Sequence, residues 1–412
     1  MKSNTLMMAS KMQKNESAFI PYGKQSIDAD DIAAVTAVLE SDFLTQGPTI
    51  PAFEKAFCQY TGATYSVAVA NATAALHIAC LALGVGKGDD VWTSPNSFLS
   101  SANCALFCGA NIDFVDIDPH TYNLCSDALE KKLQQAKNHN KLPKVVIPVH
   151  FAGQPCDMAS IHALSLEYGF AIIEDASHAV GASYQEQKVG SCQFSDICIF
   201  SFHPVKIITS AEGGLAFTNS ELLADKVRKF ACHGTTRHPD ELINQQEGAW
   251  YYEQQSLGYN YRMTELQAAL GLSQLSKLDQ FITTRHALFE NYSSILAHLD
   301  IHLPILNKGS ISALHLYPIC LSDELTPYRK AIFQTLRDKG IGVQVHYIPI
   351  HTQPYYQNLG FKWGDFPKAE RYYQSCISLP LYASLSHDQQ NQVRDVLEGV
   401  LAEYKSLGSD HD

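Results

Sequence analysis

Between residues 20 and 265 the chain repeats one alternation, a short apolar run followed by a stretch with helical spacing. The apolar runs are Val67–Ala70, Asp90–Thr93, Ile112–Ile117, Lys144–Val149, Phe170–Ile173, Ile197–Phe202 and Gly214–Thr218. Amphipathic segments such as Asp127–Lys137 and Met158–Tyr168 lie between several of them. Strands covered on both faces read as continuous apolar runs, and intervening helices supply the crossovers that parallel strands require. The pattern predicts an α/β fold, a mainly parallel sheet covered by helices. Ligands of such sheets gather at the carboxyl ends of the strands.

Past Arg262 the alternation gives way to helices over Thr264–Leu278 and near Phe281–Leu299, then a strand over His315–Leu321. A helix over Tyr328–Lys339, a strand over Gly342–Tyr347 and a last helix over His387–Tyr404 complete a smaller C-terminal α+β domain. A chain of 412 residues also exceeds the roughly 250–300 at which one core stops growing. The expected division is a polar, mobile tail at 1–19, a large domain at 20–265 and a small domain at 266–412.

Several functions are disfavoured. Thirty Lys+Arg against 42 Asp+Glu leave a net charge of −12, a poor match to a nucleic-acid backbone. Val67–Val85 is the one stretch resembling a membrane span, but Asn71, Thr73 and His77 interrupt it. A strand feeding a helix at Asn71-Ala-Thr73 explains it better. Gly84-Val-Gly-Lys-Gly lacks the ending of a phosphate loop, and no His/Cys set has metal-ligand spacing. The N-terminus has too short an apolar run for a secretory signal, and eleven cysteines without a paired pattern suit a reducing compartment, so a cytoplasmic location is expected.

The chemistry concentrates where two apolar runs end. Phe170–Ile173 runs into Glu174-Asp175-Ala-Ser-His178, and Ile197–Phe202 empties into Ser201-Phe-His-Pro-Val-Lys206. A lysine and a carboxylate at neighbouring strand ends suit pyridoxal 5′-phosphate, which needs an amine for its covalent link and an anion beside its ring nitrogen. Asn71-Ala72-Thr73 opens a helix after a strand and offers backbone N–H groups to the phosphate, and Phe98 offers a ring face.

With these residues in place the chain resembles the fold-type-I pyridoxal-phosphate aminotransferases of nucleotide-linked keto sugars. The resemblance runs from Ile20-Pro-Tyr22 to the last helix. It rests on Phe43-Leu-Thr-Gln-Gly47, Asn71–Leu76, Glu174-Asp175, Ser201–Lys206 with Glu212-Gly-Gly214, Gly258-Tyr-Asn-Tyr-Arg262 and Val345-His-Tyr-Ile-Pro-Ile-His351. It implies Lys206 as the cofactor-linking lysine and Asp175 as partner of the ring nitrogen. Ala72, Thr73 and Ser201 would hold the phosphate, with Phe98 and His178 against the ring. Asn260 would reach the neighbouring site of a homodimer, whose sites would thus be shared. Tyr22, Asp42, Phe43, Leu44, Thr45, Tyr347, Ile348, Pro349 and Ile350, with Ala72, Ser201 and Asn260, match positions that touch the sugar nucleotide.

His178, where many members carry Gln, and the His203-Pro-Val-Lys206 run are similar to one branch. That branch makes UDP-4-amino-4,6-dideoxy-N-acetyl-β-L-altrosamine for pseudaminic acid. The branch implies a UDP-sugar substrate and the family implies glutamate as donor. Arg228, Arg237, Arg262 and Lys24 are candidates for gripping the diphosphate. Trp250-Tyr-Tyr252 fits either a lid or core. Related sugar dehydratases replace the lysine by histidine, so Lys206 counts against that activity; a regulator on the same scaffold finds no appended DNA-binding module.

Overall fold

The computed structural model describes residues 19–244 and 247–409. The expected tail therefore lies outside the described residues up to residue 18. Phe19 is half exposed, with the Arg337 guanidinium 6.0 Å from its ring.

Seven strands form the central sheet: β1 Tyr65–Val69, β2 Asp90–Thr93, β3 Asn111–Phe114, β4 Val145–Ile147, β5 Ala171–Asp175, β6 Ile197–Ser201 and β7 Gly214–Thr218. Their spatial order is β1-β7-β6-β5-β4-β2-β3. Only β7 runs against its neighbours, β1 and β6; the other pairs are parallel. β5, β6 and β7 are buried almost end to end, which is why they read as unbroken apolar runs. Because β7 is antiparallel, its first residue, Gly214, lies beside Val69 and Ser201 at the carboxyl ends of β1 and β6. A Cβ on Gly214 would meet the Asn71 carbonyl carbon at 2.7 Å and the Ala72 nitrogen at 2.8 Å. Glycine is what lets this strand pass the start of the next helix.

The N-terminal segment carries two helices, α1 (Ala29–Leu39) and α2 (Thr49–Thr61). Asp28 caps α1 in a box with Asp31. Further along, α3 (Ala72–Ala82) starts at Asn71, whose side chain accepts the Ala74 N–H. It is followed by α4 (Ser100–Phe107), α5 (Ser126–Asn138), α6 (Met158–Tyr168) and α7 (Glu221–Ala231).

The helix expected over Thr264–Leu278 is two: α8 (Glu265–Leu275) and α9 (Leu278–Ile295). No Gly or Pro marks the break. The corner is held from outside, where Lys277 pairs with Asp28 at 2.8 Å and with the buried Asp31 at 2.6 Å. The strand expected over Gly342–Tyr347 is also absent. Ile341 and Gln344 make single bridges, to Ile20 and Ser378, and the following residues form a loop. A second sheet, β8 (Ile301–His302), β9 (Tyr317–Leu321) and β10 (Cys376–Leu379), is antiparallel throughout. It shares a separate hydrophobic cluster with Ile20, part of α9, and the helices Arg329–Asp338 and His387–Ser409.

One buried carboxylate ties the N-terminal segment to α8. Glu265 is 1% exposed, and its oxygens accept backbone N–H groups from Gly47 (3.0 Å), Thr49 (2.7 Å) and Ile50 (3.2 Å). It thus supplies the N-terminal acceptor that α2 lacks locally, because Pro48 offers no capping side chain. Glu265→Gln places amide hydrogens against those donors and is expected to destabilise the fold by about 1–3 kcal/mol. The measurements are the urea midpoint and hydrogen exchange over residues 43–50; a variant with both unchanged contradicts this role.

Candidate active site

A cavity of about 870 Å³ opens at the carboxyl ends of the parallel strands. Residues from four strand ends line it: Asn71–Thr73 after β1, Ser97–Ser100 after β2, Asp175 and His178 at β5, Ser201 and Lys206 at β6. Tyr22, His315 and the loop 344–348 close the other side.

Asp175 is fixed from both sides. Its Oδ2 accepts from Ser101 Oγ at 2.6 Å, and Ser101 Oγ is 2.7 Å from Ser97 Oγ. Its Oδ1 accepts the Ser177 N–H at 3.2 Å. Behind it, His150 is wholly buried and its Nδ1 accepts the Cys156 N–H at 3.1 Å. That bond leaves Nε2 as the protonated nitrogen, donating to Glu174 Oε2 at 2.7 Å. The other Glu174 oxygen accepts from Ser195. The backbone around Asp175 is thus braced by a satisfied polar pair rather than by loose packing.

Lys206 is half-buried and faces the cavity. Burial lowers its amine from the ordinary 10.5 to about 8, with the Asp175 carboxylate opposing the shift. Three imidazoles stand nearby. His178 Nε2 lies 3.0 Å from the Tyr347 hydroxyl, and its ring is 4.4 Å from that of His315. His346 Nδ1 is 2.9 Å from Ser378 Oγ. Burial first, then charges including that of Lys206, push all three well below the ordinary histidine value, His346 to about 3. The wall facing Lys206 is therefore polar but uncharged near neutral pH. Its packing depends on Gly153, whose φ is +94° and whose added Cβ would strike Leu314 N at 2.8 Å and His178 O at 3.0 Å.

Of the residues expected at the site, Tyr22, Ala72, Thr73, Phe98, Asp175, His178, Ser201, Lys206, Tyr347 and Ile348 line this one cavity. Others do not. Asp42, Phe43, Leu44 and Thr45 are exposed and away from it, as is Asn260 on its bridge to Cys232. Ile350 is a core residue, fully buried against Phe114 and Tyr356, and Pro349 is also off the cavity. The expected basic residues are elsewhere too. Arg228 pairs with Glu54, Arg262 reaches Cys232, Arg237 lies over the Tyr252 ring, and Lys24 is exposed. Trp250 and Tyr252 are exposed, so neither is core. Sequence reasoning passed over His315, Gln344, His346 and Gln353; only His346 carried a signal, next to the Tyr347 loop.

Residues 25–398 match the DegT/DnrJ/EryC1/StrS aminotransferase family. The chain belongs to this family. It is 38% identical over 397 residues to the spore coat polysaccharide biosynthesis protein SpsC of Bacillus subtilis, covering 94% of this chain and 100% of that one. Helicobacter pylori PseC, an aminotransferase involved in the biosynthesis of pseudoaminic acid, superposes with a TM-score of 0.86 at 32% identity, covering 93% and 100%. Streptococcus pneumoniae Spr1654 in its PMP form gives 0.86 at 28% identity, covering 95% and 100%. The protein is thus a pyridoxal-phosphate-dependent sugar aminotransferase of the DegT/DnrJ/EryC1/StrS family.

The residues present fit that cofactor. The N–H groups of Ala72 and Thr73 begin α3, where an intrahelical acceptor does not exist, and Gly214 keeps the space beside them narrow. His178 Nδ1 is buried without a protein partner. No group of His, Cys, Asp and Glu among the described residues is arranged to hold a metal ion. The lowered Lys206 amine makes a kinetic prediction. Borohydride-trapped attachment of pyridoxal phosphate to the apoprotein is expected to accelerate with pH through a midpoint of about 8. A midpoint near the ordinary 10.5 would show that the cavity does not desolvate the amine.

Proposed function

We propose that the enzyme aminates C4 of a UDP-linked 4-keto-6-deoxy-N-acetylhexosamine with glutamate as donor, giving the UDP-4-amino-4,6-dideoxy-N-acetyl-β-L-altrosamine used for pseudaminic acid. The observation that carries the reading is the character of the cavity wall. No arginine lines it, so this wall has no bidentate clamp that would make a carboxylate the feature selecting the acceptor; glutamate as donor rests on the family resemblance and not on this wall. Neutral imidazoles and the phenols of Tyr22 and Tyr347 stand there instead, donors and acceptors suited to sugar hydroxyls and an N-acetyl group. The likeness to PseC and the histidine at 178 favour the pseudaminic branch.

When bound, pyridoxal phosphate acts as an electron sink for the carbon attached to the migrating amine. The chain's own residues would do the rest. Ala72, Thr73 and Ser201 would hold the phosphate and Phe98 would cover a ring face. Asp175 would keep the ring nitrogen protonated, which strengthens the sink. Lys206 Nζ would hold the cofactor between turnovers and carry the proton during them, and an amine near 8 is suited to both tasks around neutral pH. His178 would orient the ring through its unpartnered nitrogen.

The test is a panel of UDP-, dTDP- and GDP-linked keto sugars with glutamate, followed by NMR of the product. An axial C4 amine formed from the UDP-4-keto-β-L-arabino sugar is expected. The identity to SpsC favours a second reading, a different nucleotide-linked keto sugar. Turnover only with a dTDP- or GDP-linked sugar would support it and refute the first.

The active unit in this reading is a cytoplasmic homodimer with shared sites. Asn260 and the segment Asp42–Thr45 are exposed and do not line this cavity of their own chain, which suits residues that complete a neighbour's site. No helix among the described residues is long and apolar enough to cross a membrane, and all eleven cysteines are free. Lys206→Ala and Asn260→Ala are each expected to be inactive alone. Mixed after subunit exchange they should regain activity, since one hybrid site then carries both residues. Absence of recovery in verified heterodimers contradicts sharing.

A further inference from the structure

The largest fully buried side chain of the described residues is a cation without a counter-ion. Arg285, on α9, is 2% exposed. Its Nη1 donates to the carbonyls of Leu314 (3.0 Å), His315 (3.4 Å) and Leu381 (3.1 Å), while its Nε has no partner. No carboxylate pairs with it, and burial lowers even this guanidinium to about 10. A lone buried charge is an expensive way to hold three carbonyls, since a neutral donor would serve without the desolvation.

What it holds is the far wall of the cavity. Leu314 sits in the left-handed region at φ +51°, which leucine rarely adopts, and its carbonyl is the nearest of the three. The next residue is His315, which lines the cavity and faces His178. Leu381 donates its own N–H to the carbonyl of Tyr22, another lining residue. His178 and His315 each have a buried Nδ1 without a partner, so no carboxylate pairs with either of these nitrogens. Burial bears first on His315, followed by His178 after β5, Lys206 after β6, Arg285 from α9 and His346 from the 344–348 loop. His286, beside Arg285, is turned to the Ser312 carbonyl at 2.8 Å.

We propose that Arg285 is a positioning residue of the transamination site: its buried, carboxylate-free cation fixes the Leu314–His315 turn and adds to the burial that keeps His315 an uncharged ring against His178. A proton on either ring would set a cation against the cofactor ring whose nitrogen Asp175 keeps cationic. The inference rests on the aminotransferase reading of the site but not on which sugar is aminated.

The experiment is a titration of apoprotein labelled with ¹³C at histidine Cε1, with His315→Gln and His178→Gln assigning the two signals. In the wild type and in Arg285→Lys, both signals are expected to remain those of neutral rings well below the ordinary histidine midpoint of about 6.5. In Arg285→Met the His315 midpoint should rise above that of the wild type, burial and the other neighbours still holding it down. In the holoenzyme, kcat of that variant should then fall with decreasing pH, by up to about tenfold per unit below the new midpoint, while Arg285→Lys keeps the wild-type profile. Wild-type His315 titrating near 6.5 overturns the proposal, and this arm needs no variant to fold. So does a folded Arg285→Met with the wild-type titration, which would leave Arg285 a clamp for carbonyls alone. Neither readout depends on the sugar panel, so failure there leaves this test standing.

Discussion

Taking the Lys206 amine out of water penalises its charged form, and the rest of the site is arranged around that penalty. One carboxylate, Asp175, partly offsets it from the adjacent strand end. No other lysine and no arginine lines the cavity. The three imidazoles opposite are neutral for the same two reasons that lower the lysine: they are buried, and they sit in its field. Lys206 is thus the one lysine of a cavity that holds the carboxylates of Asp175 and Glu212 and three neutral imidazoles, an arrangement that suits the proton-carrying role proposed for it.

That arrangement depends on backbone contacts at two glycines. Gly214 lets the one antiparallel strand reach the start of α3 without displacing the Asn71–Ala72 peptide. Gly153, in a conformation costly for other residues, lets the 151–153 turn touch both the His178 carbonyl and the 314–315 segment. Buried polar pairs then remove play from the frame. His150 with Glu174 lies behind Asp175, and Glu265 secures the first turn of α2. Each is satisfied at both ends, which is why burying it is tolerable.

Residues placed by one strand end each were readable in advance. Asp175, Ser201, Lys206, Ala72 and Thr73 follow apolar runs directly, and a run that ends at a polar residue marks the edge of a parallel sheet. The far wall was not readable in this way. His315 and Gln344 come from segments that become cavity lining only when the second sheet packs against the first. Ile350 shows the converse: loop-like by motif, it turns inward into the core because the chain around it is anchored by Ile350 N–H to the Pro95 carbonyl.

The sequence by itself determined the alternating α/β layout, the lysine and carboxylate at neighbouring strand ends, and the helix start that offers amides to an anion. These follow from local periodicity and from residues a few positions apart, which do not depend on distant partners. Only the tertiary structure decided that β7 runs antiparallel, that α8 and α9 part at Lys277, and that three histidines stand uncharged around one amine. Each of these depends on groups far apart in the chain: Lys277 on Asp31, 246 residues away, and His178 on Tyr347, 169 residues away. Burial, charge and pairing at that range are properties of packing, and local pattern carries no record of them.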